Sequence, residues 1–219
     1  MASSPSRVAL VLGHSFVKGF HDHLANSIHS FNPRRFAEAL KVHNLIKHLH
    51  FIGIRGALAM PKTSPFPTPT LRTLRPNLVI LDLGSNDLAA GTPPLEVAVR
   101  LVELAQHLIQ HHHVQHVAIA SVINRNSRLS MSEQQFTKAA YDCNQYLFNL
   151  CQAEPRIHFH VHKGFWSVPI HDWSFDGIHP NKEKGRKKYR ASLRKAIFKT
   201  LEKFTLQSTV SVPQHSNLR

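Results

Sequence analysis

Three short runs hold side chains that could act together on a carbonyl group: Gly13-His14-Ser15, Gly84-Ser85-Asn86-Asp87 and Asp176-Gly177-Ile178-His179-Pro180. A serine at the end of a strand, opening a helix, can present its hydroxyl as a nucleophile. Its own backbone N–H then points into a helix N-terminus suited to an oxyanion. The amide of Asn86 can donate to the same developing charge, and Gly84 allows a close backbone approach. A histidine base needs an orienting carboxylate, and the spacing of Asp176 and His179 lets that carboxylate reach the far ring nitrogen.

Each run also has a plainer reading. Ser15 alone reads as a helix N-cap, Gly84–Asp87 as a turn with Asn or Asp capping the next segment, and Asp176 as an Asx turn leading to Asn181. The elements around them favour the chemical reading. Short apolar strands are expected at Arg7–Gly13, Phe51–Gly53, Asn77–Gly84, His116–Ile123 and Ile157–Val161. Helical patterns are expected over Phe16–Ile28 and Phe36–Leu49, and from about Pro94 to His112, Ser132 to Cys151 and Lys182 to Phe204. This alternation predicts an α/β fold of three layers, α/β/α: a doubly wound, mostly parallel sheet of about five strands with helices on both faces. Ligands in such sheets sit beyond the carboxyl ends of the strands, where the three runs would meet.

In this order the runs resemble the sequence blocks of the SGNH/GDSL hydrolase superfamily. Gly13-x-Ser15 matches block I, Gly84-x-Asn86-Asp87 block III and Asp176-x-x-His179-Pro180 block V. Block II supplies a glycine N–H after the second strand, assigned by position to Gly56, with Gly53 as the second choice. The resemblance spans residues 7–204 and implies a flavodoxin-like three-layer fold and hydrolysis of esters, thioesters or acetylated sugars. It implies Ser15 as nucleophile, His179 as base and Asp176 as its orienter. The oxyanion hole would be formed by Ser15, Gly56 and Asn86, with no metal or organic cofactor needed. The departure is His14, where block I usually has aspartate; it bears on loop geometry and activity level. Gly13-His14-Ser15-Phe16-Val17 also resembles SGNH-type domains carried by animal retroelements and related invertebrate open reading frames.

Length and charge frame these expectations. The 219 residues suit one domain, residues 1–205, followed by a polar, disordered tail over 206–219. Met60–Pro76, rich in proline and threonine, reads as an irregular loop bordering the site. No apolar run reaches the ~18–20 residues of a membrane span. The N-terminus reads as a strand and turn, not a cleaved signal peptide. Cys143 and Cys151 lie roughly 12 Å apart along one expected helix, too far for a disulfide, which suits a cytoplasmic or nuclear setting.

The net charge of +14, with 18 histidines besides, favours anionic partners. Ten Lys and Arg against two Glu fall on the last helix, among them Lys187, Lys188, Arg190 and Arg194. These could bind nucleic acid or anionic lipid, and a second reading follows: a weak or inactive module that uses this basic face as its binding surface. His158, His160 and His162 alternate on a strand, and His111, His112, His113 and His116 cluster at a helix end. Neither group has the Cys or carboxylate companions of a metal site, so none is expected. Trp166, Trp173, Phe165 and Phe175 read as packing, with one able to line an acyl or sugar pocket.

Overall fold

The computed structural model describes residues 7–60, 68–126 and 131–210, of which 203–210 are described as helix backbone only. Five parallel strands form one sheet: β1 (Val8–Gly13), β2 (His48–Gly53), β3 (Leu78–Asp82), β4 (His116–Ala120) and β5 (Ile157–His160). Their order is β2-β1-β3-β4-β5, the doubly wound arrangement expected from sequence. The order reverses between β1 and β3, which pair from Ala9↔Leu78 to Gly13↔Asp82. The carboxyl ends of these two strands therefore frame the crevice where such sheets bind ligands.

Alternation along the strands explains the three layers. Ala9 and Val11 of β1, with Leu78 and Ile80 of β3, pack under α1 (Ser15–Ser27), α2 (Pro33–Ala39) and α8 (Gly185–Val210) through Phe20, Phe36, Tyr189 and Leu193. Leu10, Leu12, Val79 and Leu81 face the other way, against α5 (Pro94–His111) and α6 (Glu133–Gln152) through Leu101, Leu104 and Phe136. A strand covered on both sides shows no polar alternation, and all five residues of β3 are buried.

The structure departs from the sequence expectations in four places. The apolar spacing of Phe36, Leu40, Val42, Leu45 and Ile46 is not one helix. Asn32 caps α2, its Oδ1 accepting from the Arg34 N–H at 2.9 Å, and the helix stops before Lys41, whose φ of 57° is left-handed. Part of the Met60–Pro76 segment is helix, α3 (Thr68–Leu74), while residues 61–67 lie outside the described ones. Two short helices, α4 (Ser85–Ala89) and α7 (Ile170–Trp173), carry too few residues to show a period. The last helix begins at Gly185 and its backbone continues to Val210; of the expected tail, residues 211–219 lie outside the described ones.

Candidate active site

Ser15 is the first residue of α1, separated from the end of β1 by His14 alone. The N-cap is not Ser15 but His14, whose Nδ1 accepts from the Phe16 N–H at 3.4 Å. The serine hydroxyl is thus left for another partner, and its N–H sits where a helix offers no internal acceptor. That partner is His179: Nε2 lies 2.9 Å from Ser15 Oγ, and Nδ1 lies 2.8 Å from Asp176 Oδ2. Serine, imidazole and carboxylate are therefore joined in one hydrogen-bonded chain from residues 164 positions apart.

The Asx turn is present as well, on the other carboxylate oxygen. Asp176 Oδ1 accepts from the N–H groups of Ile178 and His179 at 2.9 and 2.7 Å. Partial burial acts to raise the Asp176 pKa, but the backbone and ring N–H bonds of His179, with that of Ile178, prevail and hold it at about 2. The carboxylate is thus charged at neutral pH and fixes Nδ1 as the protonated nitrogen, leaving Nε2 to accept. Gly177, at φ 79°, closes this turn in a conformation that L side chains avoid. Its carbonyl accepts from the Asn126 N–H at 2.7 Å, and Ser174 bridges to Pro180 across the loop. Asn181 Oδ1 then accepts from Lys184 and Gly185 N–H groups, both at 2.9 Å, and leads the chain into α8.

The loop after β3 is fastened to the loop after β2. Asn86 Nδ2 donates to the Ala57 carbonyl at 3.1 Å, and the buried Asp87 carboxylate accepts from the Ala59 N–H at 3.1 Å. These bonds set Asn86 beside Gly56, and both line the same cleft as Ser15 and His179. Gly53, the second choice, is a packing residue, since a Cβ there would lie 2.2 Å from the Lys18 backbone N.

Sequence reasoning missed Arg125. This buried guanidinium donates to the Ser85 carbonyl at 2.9 Å and to Asn86 Oδ1 at 3.3 Å. With Oδ1 held, Nδ2 is the end of Asn86 presented as a donor. Burial lowers the Arg125 pKa to about 10, opposed by the charge of Asp176, so it remains cationic at neutral pH. A single arginine in a polar loop after β4 carries no spacing signal that could have flagged it.

His14 has a second bond. Its Nε2 lies 3.0 Å from Ser85 Oγ and 3.9 Å from Asp82, so the start of α1 is tied to the loop carrying Asn86. Burial, then the charges of Arg125 and His179, lower the His14 pKa to about 3, and the ring is neutral. Asp82 also accepts from the Tyr189 hydroxyl and lies 3.8 Å from His162. Burial raises the Asp82 pKa to about 6 despite the Tyr189 bond.

The cleft has a volume of about 610 Å³, within the range of small-molecule sites. Its aromatic wall includes Phe16 and Phe175; Phe175 is exposed and stacks on His179 with ring centres 5.9 Å apart. Trp173 and Phe165 are core residues, and Trp166 packs on the opposite side of the sheet.

The fold and sequence have counterparts. The model of the GDSL-like lipase/acylhydrolase family matches residues 11–184. The chain belongs to that family. A putative acylhydrolase from Bacteroides fragilis is 18% identical, with 91% of this chain and 93% of that one covered at a TM-score of 0.60. A GDSL-like lipase from Bacteroides thetaiotaomicron is 17% identical, with 90% and 92% covered at 0.61. An acetyl esterase, solved as a point mutant with acetate ion, is 13% identical, with 94% and 100% covered at 0.56. Among curated proteins nothing matches. His14, the departure from the block I pattern, is the N-cap of α1.

The other residues singled out in the sequence lie away from this cleft. His160 and His162 turn inward to share Ser192 Oγ at 2.9 and 2.8 Å, and among the described residues no group of three His, Cys, Asp or Glu side chains is placed to hold a metal. Lys188 donates to the Gly164 carbonyl at 2.8 Å, Arg190 to the Ala39 carbonyl, and Arg194 lies over the Phe198 ring. Three of the four cations expected to bind a polyanion thus have partners within the fold, and Lys187 is exposed. Cys143 and Cys151 are buried thiols, and burial pushes Cys143 up to about 12. Among the described residues no helix is long and apolar enough to cross a membrane.

Proposed function

We propose that the chain hydrolyses a small ester or acetyl group by way of Ser15, His179 and Asp176. The observation that carries this reading is the 2.9 Å contact between His179 Nε2 and Ser15 Oγ, backed by the 2.8 Å contact of Nδ1 with Asp176. Ser15 Oγ attacks the acyl carbon as its proton passes to His179 Nε2. Negative charge moves to the carbonyl oxygen, where the N–H groups of Ser15 and Gly56 and the Asn86 amide receive it. Collapse expels the alcohol oxygen, which takes the proton from His179, and leaves an acyl-serine. Water then repeats the sequence: His179 takes its proton, the hydroxide adds to the acyl carbon, and Ser15 leaves with the proton returned. Asp176 stays ionised throughout and holds the imidazolium formed in each half.

The test is cleavage of short-chain p-nitrophenyl esters by purified protein. Ser15→Ala and His179→Ala should each lower kcat/KM by about 10³-fold or more. Equal rates from wild type and Ser15→Ala across the ester panel would remove the reading.

A further inference from the structure

The charges on the cleft wall narrow the substrate further, given the hydrolase reading above. Among the described residues four cations line it, Lys18, Arg55, Arg125 and Arg186, against two carboxylates, Asp22 and Asp176. Most of these are already engaged. Asp176 is bonded to His179, Lys18 and Asp22 face each other at 3.3 Å, and Arg125 holds Ser85 and Asn86. Arg55 and Arg186 remain, and among the described residues neither side chain has an ion pair or hydrogen bond. Arg55 directly precedes Gly56; Arg186 lies in the first turn of α8, beyond the His179 loop. Arg186 is half-buried, and burial works against its charge with no carboxylate among the described residues acting in its favour. Its field reaches His23, whose pKa is lowered by burial and then by the charges of Arg186 and Lys182.

Arg186, partly desolvated and without a counter-ion among the described residues, gains when an anion arrives, and the exposed Arg55 lines the same cleft. Guanidinium groups pair with two oxygens at once, the geometry of a carboxylate or a phosphate. We propose that the ester taken by this cleft carries an oxyanion group, held by Arg55 and Arg186 while the acyl carbon lies at Ser15. The apolar part of such a substrate meets Phe16, Phe175 and Ile178 on the same wall.

Matched esters test this. On the acyl side, p-nitrophenyl hemiglutarate is compared with p-nitrophenyl pentanoate. On the alcohol side, 2-acetoxyethyl phosphate and 3-acetoxypropionate are compared with 2-methoxyethyl acetate and acetylcholine. At least one anionic member should exceed its neutral match in kcat/KM by about 10-fold or more, and acetylcholine should be the poorest. The ratio of anionic to neutral kcat/KM should fall toward one in R55Q/R186Q, fall less in R186K, and shrink with added salt. Which pair shows the preference assigns the anion to a carboxylate or a phosphate, and to the acyl or alcohol side. Equal rates within every pair, or a preference that survives R55Q/R186Q, overturn the proposal. Calorimetry on Ser15→Ala with glutarate and 2-hydroxyethyl phosphate separates it from the hydrolase reading. Binding that R55Q/R186Q weakens, in a protein that cleaves no ester, leaves the anion site standing and removes the hydrolysis. Absence of binding by both anions removes the anion site itself.

Discussion

At the scale of single residues, the site is a set of side chains whose alternative hydrogen bonds have been assigned elsewhere. Ser15 is available to His179 because His14 supplies the cap; Asp176 serves the turn with one oxygen and the imidazole with the other. Asp176→Asn should therefore keep the loop but lose the charge and the tautomer, lowering kcat by about 10²–10⁴-fold with little change in KM. In the proposed reaction Arg125, which touches Asn86 and Ser85, would act through Asn86 as a positioning residue. Arg125→Met should lower kcat by about 10-fold or more, against about 10²–10³-fold for Asn86→Ala. The Arg125→Met loss should be small in an Asn86→Ala background, measured as a double-mutant cycle; a full, additive loss would mean that Arg125 works on something else. Ser15, His179, Asp176 and Asn86, which the structure brings to one cleft, could be singled out in the sequence because each lies at a fixed offset from a glycine or proline. Arg125 could not, because its role depends on where β4 delivers a loop in space.

At the scale of elements, four strands could be read and β2 only in its second half, since His48 and Leu49 fell within the expected helix; several helices could not. Buried parallel strands leave unbroken apolar runs such as Leu78–Leu81, and the long α5 and α6 show a clear helical period. The segment from Phe36 to Leu49 misleads because buried turn residues, Val42 and Ile46, imitate the spacing of a helix that ends at Ala39. The short α4 exists because its side chains clasp the loop after β2, a tertiary cause with no local signature. The join between α8 and the His179 loop is equally tight: a Cβ on Gly185 would lie 2.0 Å from the Trp173 carbonyl and 2.8 Å from Pro180. Gly185→Ala should cost at least about 2 kcal/mol in urea unfolding and displace the loop enough to lower kcat. A variant with wild-type stability and kcat would show that this contact does not position His179.

At the scale of the whole molecule, the excess positive charge coexists with buried histidines that stay neutral. The His14 pKa falls to about 3 and that of His160 to about 4, in each case first through burial. A depressed histidine contributes stability above its unfolded pKa of 6.5, and that contribution is lost as pH falls toward the folded value. Between pH 7 and 5 each should cost about 2 kcal/mol. Asp82 acts oppositely: raised to about 6, it destabilises the fold at neutral pH, and protonation relieves roughly 1 kcal/mol over the same interval. The histidines prevail, so urea midpoints should fall from pH 7 to 5, and His160→Gln should flatten the decline. A midpoint that rises on acidification would mean that Asp82 dominates.

The central claim is that Ser15 is an activated nucleophile, and covalent labelling reads it most directly. A fluorophosphonate probe should modify wild-type protein at Ser15, identified by peptide mass, and should fail on Ser15→Ala and react slowly with His179→Ala. Unlabelled wild-type protein, or equal labelling of wild type and Ser15→Ala, would contradict it.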